Sequence, residues 1–138
     1  MTTLTAAKEA ILARWVANWD ETDAVSTFEN EKGFDAPTDD AWVRVSIRHR
    51  VSSQDTLGSR GNRKFLRGGS IFIQIWTPIE TYEGTQKSDQ LVQLARTIFE
   101  GESFSGVRMF DVVYRETGND GDSFQVVVEA FFEYDETK

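Results

Sequence analysis

Leu66-Arg67-Gly68-Gly69-Ser70-Ile71-Phe72-Ile73-Gln74-Ile75-Trp76-Thr77-Pro78, followed by an exposed connector with Gly84 and Thr85 and then by Leu91, Leu94, Ala95, Ile98 and Phe99, is the stretch that decides the fold. Its first part reads as a strand, rich in isoleucine and aromatic residues, that stops at Pro78, where no amide hydrogen is left to continue a ladder. Apolar residues lie on both faces around Gln74, the pattern of a central strand covered on both sides, and Gly68 and Gly69 permit a bulge or bend at its start. Its last part reads as an amphipathic helix from about Thr85 to Glu100, because the apolar residues recur three and four apart.

Working outward, Ala7, Ile11, Trp15 and Trp19 recur every four residues between about Thr5 and Asp20, with Leu4, Leu12 and Val16 widening the stripe, so a second helix opens the chain. A polar stretch through Pro37 and Asp40 follows, within which Val25 to Glu29 can form a short strand. From Ala41 to Ser52 the chain alternates: Val43, Val45, Ile47, His49 and Val51 share one face, and Arg44, Ser46, Arg48 and Arg50 the other. Ser53 to Lys64 has one apolar residue, Leu57, and reads as an exposed, mobile loop, long for a hairpin connection. Two strands, Gly106 to Thr117 and Ser123 to Tyr134, close the chain around the turn Gly118-Asn119-Asp120-Gly121-Asp122. The expected architecture is one α+β domain, two helices packed on a mixed or antiparallel sheet of four to five strands.

A chain of 138 residues suits a single domain, and ten Phe with four Trp place much of the apolar area in a few large side chains. The absence of cysteine excludes disulfides, thiol nucleophiles and thiolate metal sites, and fits folding in a reducing bacterial cytoplasm. No basic-then-apolar leader and no membrane-length apolar run is present, so neither export nor a membrane partner is expected. The net charge of −8 is segregated: residues 1–40 carry three basic and nine acidic groups, 41–70 seven and one, and 71–138 five and thirteen. A basic middle can fold back onto its own acidic strands or meet an acidic neighbour. The acidic total argues against a dedicated nucleic-acid binder.

The central block resembles the corresponding segment of the small tail terminator proteins of long-tailed bacteriophages. The matching residues are Gly69, Phe72, Gln74, Ile75, Trp76, Pro78, Gly84, Thr85, Asp89, Leu91, Ala95 and Phe99, and the wider order of elements covers most of the chain. The resemblance implies a non-enzymatic virion protein at the neck end of the tail, assembled in the host cytoplasm. Such a subunit closes into a homo-oligomeric ring, a hexamer in the family. The ring caps the tail tube protein, stops polymerisation and presents the surface joined by the head-completion or neck protein, with DNA passing through its lumen. No cofactor is implied.

Candidate sites are weighed against that role. His49, the single histidine, falls among apolar strand residues and reads as structural, and no nucleophile elbow exists to partner it. Asp39 with Asp40, and Asp120 with Asp122, invite a cation reading, but the latter turn lacks the closing glutamate of a calcium loop. Gly58 to Lys64 lacks the ending of a phosphate loop and the helix that would follow it. No catalytic, cofactor or metal residue is therefore assigned. The interface candidates are Arg44, Arg48 and Arg50 on the basic strand face, Arg60, Arg63, Lys64 and Arg67 in and beside the loop, and Glu129 and Glu133 on the last strand. The glutamate face can pair with the arginine face within one sheet or across subunits. The loop is either a solvated charged segment or one that orders against an acidic ring neighbour, tube or neck. Trp19, Phe28, Phe34 and Trp42 are either peripheral core or interface anchors. The rivals are another neck or tail-completion protein, and a small-molecule-binding protein or enzyme with a pocket lined by aromatics.

Overall fold

The computed structural model describes residues 2–29, 31–37, 40–78, 82–120 and 123–138. In chain order the elements are α1 (Leu4–Asn18), β1 (Val25–Phe28), β2 (Trp42–Gln54), β3 (Lys64–Pro78), α2 (Tyr82–Phe99), β4 (Ser103–Phe104), β5 (Val107–Asp120) and β6 (Ser123–Thr137). Thr3 caps α1, its hydroxyl accepting from the Ala6 amide at 3.2 Å. The four-residue spacing of Ala7, Ile11 and Trp15 puts all three fully out of solvent. Trp15 stacks on Trp19 at 4.5 Å and on Phe99 of α2 at 6.2 Å, which locks the two helices together. Trp19 belongs to the core, its indole nitrogen donating to the Ala24 carbonyl at 2.9 Å.

The strands form one sheet in the order β1-β2-β3-β6-β5-β4. Only β1 and β2 run parallel; the other neighbours are antiparallel. β3 is central and is registered against β6 along its whole length, from Lys64 opposite Thr137 to Pro78 opposite Ser123. One face of the sheet carries Val43, Val45, Ile71, Ile73, Ile75, Val126, Val128 and Phe132, and these join Ile11, Trp15, Leu91, Ala95 and Phe99 of the helices in a single core.

The fold differs from the α+β sheet of four to five strands that the sequence suggested. It is mostly β: about half the chain is strand, in one six-stranded sheet curled into a half-barrel. Of the two short pieces at the sheet's edges, β1 stands at the expected Val25 to Glu29 strand and β4 is the unexpected sixth. β1 joins the edge of β2 in parallel, and β4 folds onto β5 through a two-residue turn in which Ser105 and Gly106 both have positive φ (48° and 83°). The connector expected around Gly84 and Thr85 is instead the first turn of α2. A glycine there costs about 1 kcal/mol, which the burial of Leu91, Ala95, Ile98 and Phe99 outweighs. The long loop shortens to 55–63, because β2 runs on to Gln54 and β3 begins at Lys64.

The glycine pair acts through space. A Cβ on Gly69 would lie 1.9 Å from the Arg48 carbonyl oxygen, and one on Gly68 would lie 2.6 Å from that of Phe132. The backbones of β2 and β6 therefore close on β3 from opposite sides, next to the β2 bulge between His49 and Val51. Gly69→Ala is expected to destabilise the protein by about 3 kcal/mol or more, whereas a substitution at the open position Leu57 should be nearly neutral. Urea unfolding midpoints of the two variants check this.

Candidate interface on the open face of the sheet

Side chains alternate across a strand, so the residues between the core positions of β2, β3 and β6 point to the sheet's other face, on which neither helix packs. Phe72 and Trp76 are only half-buried there, so β3 is central but not covered on both sides as its composition suggested. The side chains shield one another instead. Trp42 and Trp76, directly opposite across β2 and β3, stack at 4.0 Å with planes 9° apart. The Arg44 guanidinium lies 5.4 Å from one indole and 5.6 Å from the other, and Phe34 leans on Trp42 at 5.4 Å. Arg50 lies over the Phe72 ring at 5.3 Å and reaches Glu129 of β6 at 3.5 Å, spanning the intervening strand. Ser70 donates to the same carboxylate at 2.6 Å.

The remaining candidates separate. Arg48 makes a two-pronged contact with Glu29, just past the end of β1, and this hydrogen-bonded guanidinium holds the Glu29 carboxyl below its ordinary range. Glu133 pairs with Arg108 of β5 at 3.8 Å. Lys64 and Arg108 both approach Asp135, at 3.5 and 3.0 Å. Burial pushes that carboxyl up, but the Arg108 hydrogen bond and the two positive charges outweigh it and hold Asp135 low. Arg67 points to the core side, where it meets Glu136 at 3.7 Å and donates to Ser52. The basic middle thus folds back largely on acids of the same chain. Among the described residues Arg44, Arg60 and Arg63 have no ion pair; Arg60 is exposed in the loop, and Arg63 exchanges both backbone hydrogen bonds with Lys138. Glu29, Arg108, Asp135 and Glu136 completed these pairs without standing out in the sequence. Asp39 and Asp122, each half of an acidic pair considered above, lie outside the described residues. Among the described residues no cluster of His, Asp and Glu could hold a metal, and no helix is long and apolar enough to cross a membrane.

His49 lies on the core side at the open end of the sheet. Its Nε2 is 2.8 Å from the Tyr134 hydroxyl, and its ring meets Phe132 and Tyr134 edge-on. A cavity of 330 Å³ opens beside it, lined among others by Arg67, Tyr134, Glu136 and Lys138. Desolvation, with the charges of Lys8 and Arg67, pushes the His49 imidazolium below its ordinary 6.5. The unfolded chain then binds the proton more readily than the folded one. The stability from neutral His49 is complete above 6.5 and is lost as pH falls through the lower folded value. Wild type is expected to show a lower urea midpoint at about pH 5.5 than at about pH 7.5, and His49→Gln to flatten that difference. The carboxylates held low, Glu29 and Asp135, act only at more acidic pH.

No family model and no curated protein matches the chain. Among solved structures, one protein whose name carries no functional description superposes with a TM-score of 0.61 at 13% identity, covering 92% of this chain and 94% of its own. The likeness at that identity concerns the fold alone.

Proposed function

We propose that this chain is a phage tail terminator, a non-enzymatic subunit that closes into a ring, caps the tail tube, stops its polymerisation and presents the head-joining surface. The observation that carries the reading is the open sheet face with its Trp42–Trp76–Arg44 stack. A rigid aromatic pair with a guanidinium lying against it is the residue chemistry of a protein–protein anchor. The sequence resemblance supplies the kind of partner: a second copy, the tube tip and a neck protein. DNA would meet only the lumen, where a chain of net charge −8 would not hold it.

The small-molecule reading rests on the cavity beside His49. Its polar walls are already satisfied by one another, Glu136 lying between Arg67 at 3.7 Å and Lys138 at 3.3 Å, and His49 on Tyr134. Few groups are left to converge on a ligand.

Electron microscopy of the purified protein mixed with tail tubes of its own phage tests the proposal. A ring on one tube end that halts growth is the expected result; tubes that stay bare and keep growing would overturn it. Arg44→Ala is expected to weaken capping about tenfold, the loss of about 1.4 kcal/mol, while leaving the unfolding midpoint nearly unchanged. Capping unaffected by Arg44→Ala would remove the open face from the tube contact.

A further inference from the structure

The sheet ends in two unequal edges, and both leave long runs of backbone without a strand partner among the described residues. At one end β1 covers only Trp42 to Val45 of β2, and the Glu29 amide adds one more bond to the Val45 carbonyl. From Ser46 to Gln54 the outer side of β2 has no neighbouring strand. The Ile47 carbonyl is instead met by the guanidinium of Arg48 at 3.1 Å, a side chain standing where a strand would be. At the other end β4 pairs only with Val107 and Arg108, and the segment leading into it adds bonds at Met109 and Phe110. From Val112 onward β5 has β6 on one side, with register shifts between Met109 and Val112 and between Glu116 and Gly118, and no backbone partner on the other among the described residues. Val113 and Tyr114, which point to opposite faces, are 48% and 46% exposed. Exposed apolar residues on an unpaired strand make a template for a further strand.

We propose that adjacent subunits join by strand addition, the β5 edge from Asp111 to Gly118 of one copy pairing with the β2 edge from Ser46 to Ser53 of the next. The partner is a second copy of this chain because one copy carries both halves of the contact at opposite ends of its sheet. Such a head-to-tail contact repeats, and a curled sheet turns each added copy relative to the last, the kind of contact that makes a ring where the rotation closes. The free β2 run carries no acid, and its Arg48 and Arg50 are held by Glu29 and Glu129 of the same chain, whereas the β5 run carries Asp111 and Glu116 around Arg115. Incoming backbone groups would take the place of the Arg48 guanidinium at the Ile47 carbonyl and leave it on Glu29. The inference rests on the ring reading above and names the surfaces that make the ring.

The chain has no cysteine, so single cysteines report cleanly. Val51→Cys, at a position 44% exposed on the β2 edge, and Val113→Cys on the β5 edge are made as separate proteins. They are mixed and oxidised with copper phenanthroline, alone at about millimolar concentration and on tail tubes. The expected product is a mixed disulfide dimer in large excess over either homodimer. Amide exchange of wild type over 46–53 and 111–118 is expected to slow about tenfold on assembly. Homodimers formed as readily as the mixed dimer would overturn the pairing in favour of a two-fold contact. Rings or capped tubes without the mixed dimer and without slowed exchange would overturn the edge contact and leave the ring reading standing. Monomers that neither cross-link nor cap tubes would overturn both.

Discussion

The closest constraint in the molecule is the approach of three backbones at Gly68 and Gly69. β3 accepts β2 on one side and β6 on the other so tightly that neither position has room for a β-carbon. That pinch coincides with the β2 bulge, which shifts the register after His49 and turns Val51 outward. Beyond it the core side opens into the cavity beside His49 and Tyr134, with Leu4 at the start of α1 on its wall. Before it, the same strands carry the isoleucines and valines on which the helices rest. One glycine pair thus divides the sheet into two halves, and the half beyond it supplies most of the free stretch of β2.

Charge is organised around the same strand order. Because β3 stands between β2 and β6, a long arginine on β2 must cross it to reach β6, and only Arg50 does so, by lying over Phe72 on its way to Glu129. Arg44 lies instead against two indoles. These ion pairs are mostly half-exposed, so each contributes little to stability, on the order of 0 to 1 kcal/mol. Their effect is rather to keep a segregated chain from presenting one large basic patch.

The elements with a clean period were legible in the sequence. The four-residue repeat of Ala7, Ile11 and Trp15, the alternation of β2, and the hairpin of β5 and β6 all stand close to where their patterns put them. Four-residue β1 stands where a short strand was read at Val25 to Glu29, but its pairing was not legible, and two-residue β4 was not legible at all, because pieces that short carry no period and are held by their neighbours. The coverage of β3 was misread for another reason: Phe72 and Trp76 are shielded by Arg50 and Trp42 on the same face, a covering that composition cannot tell from a packed layer. The interface candidates were visible as charges, but their partners depend on which strands are adjacent. Periodicity is silent on that order, and so Arg48 meets Glu29 and Glu133 meets Arg108.

The stacked Trp42 and Trp76 have an optical consequence. Two indoles in van der Waals contact and nearly parallel do not absorb independently. Their transition dipoles couple, and the pair behaves as one chromophore whose circular dichroism depends on the separation and twist of β2 against β3. The other two tryptophans, Trp15 and Trp19, form a second stacked pair in the core. The molecule therefore holds one tryptophan dimer on the buried side of α1 and its C-terminal end and one on the open face of the sheet. Anything that settles on that face changes the polarity around only the second, so the chain carries its own label for the surface on which a partner would dock.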